Sequence, residues 1–152
     1  MEVRKEISEE ELAREAVQKY KTIAVVGLSK DPTKDSYTVS EYLQQHGFKV
    51  IPVNPTATEL LGEKVYPSLL DIPDEIARTI EIIDIFRPSE AVPPIVEQAI
   101  TLKNKYRTNP KMIWMQLGIR HDGAAEAARK AGLEVIQDMC MRVEHRRASR
   151  AH

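Results

Sequence analysis

An unbroken apolar, β-branched run, Thr22-Ile23-Ala24-Val25-Val26, ends in Gly27-Leu28-Ser29-Lys30, with Lys34 close behind. That order of residue types suits a phosphate or pyrophosphate. Gly27 can make a tight turn, Ser29 adds a hydroxyl donor, and Lys30 and Lys34 add positive charge where a helix would begin. The usual dinucleotide fingerprint places three glycines here, each with a steric role. Only the first is present, since Ser29 stands in place of the second and Pro32 in place of the third. No Gly-Lys-Ser/Thr follows, which argues against a nucleoside triphosphatase. A lone glycine after a strand is also the mark of an ordinary turn, so the neighbouring strand ends must decide.

Ligands of open parallel sheets sit beyond the carboxyl ends of the strands, where the strand order reverses. Besides Gly27 to Lys30, those ends are Asn54-Pro55-Thr56, Phe86-Arg87-Pro88 and Gln116-Leu117-Gly118-Ile119-Arg120. Lys30, Arg87 and Arg120 put a cation near three of the four, which points to an anionic ligand. Proteins that bind NAD usually place a carboxylate at the end of the second strand for the ribose diol. Here Asn54 is neutral. A ribose that carries a phosphate, as in coenzyme A or NADP, would be repelled by a carboxylate and tolerates Asn54.

The elements that must hold these ends alternate. Ser8-Glu9-Glu10-Glu11 has the form of a capping box for a helix over Glu9 to Tyr20. Strands follow at Thr22 to Gly27, Phe48 to Val53, Ile80 to Phe86, Met112 to Gln116 and Leu133 to Gln137. Between them the pattern predicts helices from Thr38, where Thr38 to Glu41 forms a second capping box, to His46, then around Glu90 to Tyr106 and around Asp122 to Ala131. Pro93 and Pro94 belong in a first helical turn, where a missing N–H costs little. Asn54 to Ala77 reads as an irregular loop with one short helix near Pro67 to Leu70. The expected fold is α/β: one domain with a Rossmann-like, doubly wound, parallel five-stranded sheet. Residues 1–21 supply a helix packed on it, residues 22–141 the ligand-binding domain and residues 142–152 a basic tail, expected as a solvated end.

With 152 residues, 42% of them hydrophobic, one core is expected, and a net charge of −1 gives no reason to expect nucleic acid as a partner. The N-terminal residues 1–11 lack the apolar core of a secretory signal, and no apolar run approaches the roughly 20 residues of a membrane span. The single cysteine, Cys140, excludes an intrachain disulfide and a cysteine-based metal cluster, so the expected setting is the reducing cytoplasm with no membrane partner. No metal site and no catalytic residues are nominated. Of the histidines, His121 alone lies near the expected cleft, and no Ser-His-Asp set or paired carboxylates can be placed around it. Exposed apolar faces leave room for a homodimer.

Six stretches, in this order and spacing, make a more specific pattern than any one of them. They are Ile23 to Ser29, Val50 to Pro55, Gly62 to Leu69, Asp84 to Pro88, Met115 to Ile119 and Asp138 to Cys140. Over about Thr22 to Glu144 the chain resembles the stand-alone CoA-binding domain proteins, relatives of the CoA-binding domain of the succinyl-CoA synthetase alpha subunit. The resemblance implies the fold above and a coenzyme A site at the strand ends. Gly27, Leu28, Ser29 and Lys30 would meet the phosphates with Lys34 beside them, and Asn54 and Pro55 would lie near the nucleotide. Phe86, Arg87, Pro88, Gln116, Leu117 and Gly118 would line the adenine or pantetheine channel. No counterpart of the synthetase's phosphohistidine domain is expected, and the expectation that goes with this is a non-catalytic binding or regulatory module for CoA or acyl-CoA. An NADP- or acyl-CoA-dependent enzyme on the same fold, and an assembly piece with a decayed nucleotide site, remain as alternatives. Cys140 reads as a small buried hydrophobe or as a thiol that forms a mixed disulfide with CoA.

Overall fold

The computed structural model of the chain describes residues 7–150. Expectations for Met1 to Glu6 and for His152 lie outside these residues. Five strands form one parallel sheet: β1 (Thr22–Val26), β2 (Lys49–Val53), β5 (Ile82–Ile85), β6 (Met112–Met115) and β7 (Glu134–Ile136), in the order β2-β1-β5-β6-β7. The register sets Ile23 opposite Val50 on one side and Ile82 on the other. Succession along the chain runs outward from β1 in both directions, so the order reverses between β1 and β5. The expected sheet is therefore present, with its switch point beside Gly27.

Alternation along each strand feeds two apolar cores. Ala24, Val26, Ile83, Ile85, Ile113 and Met115 meet α4 (Val92–Tyr106) and α5 (Asp122–Lys130) through Val96, Ala99, Ala125 and Ala128. Ile23, Val25, Ile82, Met112 and Trp114 face the other way, toward α1 (Glu9–Lys19), α2 (Asp35–Gln45) and α6 (Met141–Arg150). Continuously apolar strands follow from this burial on both faces. Trp114 is fully buried, and its Nε1–H donates to the Met139 carbonyl at 2.9 Å, which settles the one polar atom of the ring.

Three segments differ from the sequence expectation. α2 begins at Asp35 rather than Thr38, so the Thr38 to Glu41 capping box lies inside the helix, and the Thr38 hydroxyl turns back to the Asp35 carbonyl at 3.4 Å. The long loop after β2 carries a hairpin, β3 (Glu59–Leu60) and β4 (Glu63–Lys64), a 3-10 turn at Leu69–Asp71 and the short helix α3 (Asp74–Ala77). The hairpin turns through Leu61 and Gly62, both at positive φ, and a leucine there gives no turn signal. The expected solvated tail is instead helix α6 over Met141–Arg150, packed on α1. Its buried stripe is Met141, Glu144 and Ala148, and a glutamate at the centre hides the helical period. Among the described residues no helix is long and apolar enough to cross a membrane.

Candidate functional site

The open corner of the molecule lies where β1 and β5 part. Gly27 leaves β1 at φ +93, and its N–H donates to the Val53 carbonyl at 3.0 Å. A Cβ there would stand 2.7 Å from the Phe86 carbonyl oxygen and 3.0 Å from Arg87 Cδ. Glycine is thus required twice, by the left-handed backbone and by the β5 exit that crosses it. Arg87 lays its aliphatic stem over this glycine.

Around the corner runs a cleft of about 630 Å³. Its walls are Val26, Gly27, Ser29, Val53, Asn54, Pro55 and Thr56 from the β1 and β2 ends, Pro67 and Ser68 from the loop, Arg87 from the β5 end, and Ala91, Pro94, Ile95 and Gln98 from α4 and the turn before it. Most of its polar side chains are engaged within the protein. Asn54 donates from Nδ2 to the Leu28 carbonyl at 2.8 Å, and its Oδ1 accepts from Thr56 N–H and hydroxyl at 2.7 and 2.9 Å. The Ser29 N–H donates to Ser36 Oγ at 2.9 Å, and Ser29 Oγ accepts from Asp31 N–H at 3.0 Å, leaving the Ser29 hydroxyl proton for a ligand. Ser68 donates to Asp71 Oδ2 at 2.8 Å. Among the described residues, the Arg87 guanidinium and the Gln98 amide make no hydrogen bond or ion pair, and both line the cleft.

Of the residues nominated from the sequence, Gly27, Ser29, Asn54, Pro55 and Arg87 come together here. Leu28 is buried in the core, and only its carbonyl serves the corner. Lys30 and Lys34 are exposed on the loop before α2 and stand outside the lining. That loop also holds Asp31, whose carboxyl accepts from Thr33 N–H and hydroxyl and is held below the usual range by those bonds. Phe86 packs against the core on the α1, α2 and α6 side, and Pro88 begins a 3-10 turn.

Gln116, Leu117 and Gly118 form a separate corner, outside the lining. Gln116 is buried, donates from Nε2 to Asp84 Oδ1 at 2.6 Å and accepts from Met141 N–H at 3.1 Å, so it ties β5 to the start of α6. The Gly118 N–H donates to Asp138 Oδ1 at 2.6 Å, and Leu117 is 70% exposed. Asp84 is fully buried among apolar neighbours, and burial pushes its carboxyl up to about 7 against the pull of the Gln116 bond. His121 caps α5, with Nδ1 accepting from Ala124 N–H at 3.0 Å. Cys140 is half-buried against the α1, α2 and α6 side and does not line the cleft.

Pro94, Ile95 and Gln98 were not nominated, because only the phase of α4 on the sheet brings them to the corner. Pro67 and Ser68 lie within a stretch that carries the family resemblance, and their spacing from Arg87 in sequence hides their approach.

The profile of the CoA binding domain family matches residues 21–146, most of the chain and all of this corner. The chain belongs to that family. It is 38% identical over 132 residues to the uncharacterized protein YneT of Bacillus subtilis, covering 87% of this chain and 90% of that one. A solved structure of a hypothetical protein from Pyrococcus horikoshii superposes with a TM-score of 0.82 at 39% identity, over 98% of this chain and 99% of that one. The chain is also 39% identical over 80 residues to the ADP-forming acetate–CoA ligase II of Archaeoglobus fulgidus, matching 51% of this chain and 11% of the ligase. It thus spans about a tenth of the length of that relative.

Proposed function

We propose that the protein binds coenzyme A, free or acylated, in the cleft between the β1 and β5 ends, and that it acts as a binding or regulatory module. The observation that carries this reading is Arg87, a cation in the cleft without an internal partner, placed across a glycine that keeps the backbone low. A guanidinium so placed can take a phosphate through paired N–H donors. The rest of the lining fits the same ligand. The Ser29 hydroxyl and Gln98 amide supply uncharged hydrogen bonds, and Val26, Val53, Pro94 and Ile95 supply apolar walls for a ring or a pantetheine arm. Neutral Asn54 holds the second strand end to the first without adding a charge that would repel a ribose phosphate.

Coenzyme A brings its own chemistry, a thiol that carries acyl groups as thioesters. What this chain's residues supply is capture and orientation: one arginine, hydroxyls, amides and apolar walls. Family membership and the CoA-named ligase among its relatives support the same ligand. Because the neutral Asn54 corner also accommodates NADP, that cofactor belongs in the test.

Isothermal titration of CoA, acetyl-CoA, NADP and NAD into the full chain decides between them. Saturable binding of CoA or its thioester, without NADP or NAD, is the expected result. Binding of NADP alone would favour an enzyme on this fold, and no binding at all would favour an assembly role.

A further inference from the structure

At the opposite edge of the sheet, where the strands begin, two lysines from different elements meet over a second hollow of about 270 Å³. Lys103 comes from the last turn of α4, and its Cε lies 3.8 Å from where a Cβ on Gly132 would stand, so its stem reaches across to the entry of β7. Lys111 precedes β6. Its backbone is fixed by two bonds, N–H to the Glu81 carbonyl at 2.7 Å and carbonyl to Glu134 N–H at 2.9 Å. Both side chains are half-buried, and among the described residues neither makes a hydrogen bond or an ion pair.

Burial pushes the Lys103 ammonium below its ordinary value, and Lys111 adds repulsion. A cation near a helix C-terminus is ordinarily stabilised by the partial negative charge there. That accounts for Lys103 in part, whereas Lys111 is on no helix and, among the described residues, makes no ion pair. A third lysine, Lys19, and two carboxylates, Glu15 and Glu134, also line the hollow, and one Glu134 carboxyl oxygen accepts from the Tyr20 hydroxyl at 3.3 Å. A second depression shares Lys103 with Arg107, which sits at φ +69 with the Thr108 N–H donating across it to the Tyr106 carbonyl at 2.8 Å. This tight γ-turn is a strained arrangement for a residue with a side chain, and it holds a further cation at the same edge.

We propose that Lys103 and Lys111 form an anion site at the strand-entry edge, which takes a compact multivalent oxyanion of the phosphate or pyrophosphate class. Two cations that repel each other in a hollow are both relieved by one shared anion. The small volume selects against a whole nucleotide, and lysines facing one hollow favour a multivalent anion over a monovalent one, while Glu15 and Glu134 oppose any anion and limit the affinity. The site is independent of the cleft and of its ligand.

The test titrates inorganic phosphate, then pyrophosphate, into the full chain at constant ionic strength set with chloride, reading the backbone amides of Lys103, Lys111 and Gly132 by NMR. Saturable shifts at these amides are expected. Affinity should fall by at least about tenfold in the double variant Lys103→Gln, Lys111→Gln, as losing one charge-assisted hydrogen bond would give. The exposed-site control Lys130→Gln and the cleft variant Arg87→Ala should leave it unchanged. The proposal is overturned if shifts do not saturate by about 20 mM, far weaker than a useful millimolar site. It is equally overturned if the double variant binds as well as the parent, or if Lys130→Gln weakens binding as much.

Discussion

Two corners of the same sheet edge carry polar residues after a strand, and they do opposite things. At the β1 and β5 exits the backbone is drawn together by Gly27, and Arg87 and Gln98 are left facing a cleft without partners. At the β6 exit each polar group is taken: Gln116 by Asp84 and Met141, Gly118 by Asp138, His121 by Ala124. Position at the carboxyl edge therefore does not by itself make a ligand site. The proposed site rests on donors left unpartnered over a cleft, which have no internal bond to give up when a ligand arrives.

The largest expected effect comes from the closed corner. Asp84 is held up to about 7 in the fold against an ordinary 3.8, so its contribution to stability is fully present below about pH 4 and is lost as pH rises through 7. The difference corresponds to about 4 kcal/mol. Chemical denaturation between pH 4 and 8 should show this decline in the parent and a flatter profile in Asp84→Asn, with CoA affinity unchanged. A parent whose stability does not fall over that interval would show that the carboxyl is relieved by another contact.

Next come the glycines, which separate the corners by steric demand. Gly27→Ala must place a Cβ against a carbonyl oxygen at positive φ and should cost about 3 kcal/mol and most CoA binding. Gly118 is also at positive φ but has nothing within 4 Å of its Cβ position, so Gly118→Ala should cost about 1 kcal/mol and leave binding intact. Equal losses in the two would dissolve the distinction between a crossing point and a simple turn. Arg87→Ala should weaken CoA by about 10- to 100-fold with little change in stability, the effect of removing a charged hydrogen-bond donor. Lys34→Ala, on the exposed loop, should change CoA affinity by less than about threefold at physiological salt.

Much of this was legible in the sequence because burial on both faces leaves a plain trace. β1 is followed by a glycine, Lys49–Val53 is apolar after its first residue and Met112–Met115 throughout, and the alternation of strands and helices points to a parallel sheet. Gly27 and Arg87 follow from the rule that ligands sit at strand ends. What could not be read depends on contacts distant in sequence. Gln116 looks like Arg87 until its two partners are known, and Gln98 becomes part of the cleft only when α4 settles on the sheet. α6 was hidden because Glu144 occupies its buried stripe, and Asp84 because a strand context gives no sign of which face receives the carboxyl.

The most direct test of the account is a backbone NMR titration of the full chain with coenzyme A, comparing the two corners in one experiment. Saturable shifts concentrated at Gly27, Ser29, Arg87 and Gln98, with Leu117 and Gly118 undisturbed, are what the account predicts. Shifts centred on Leu117 and Gly118, with the Gly27 corner silent, would contradict it.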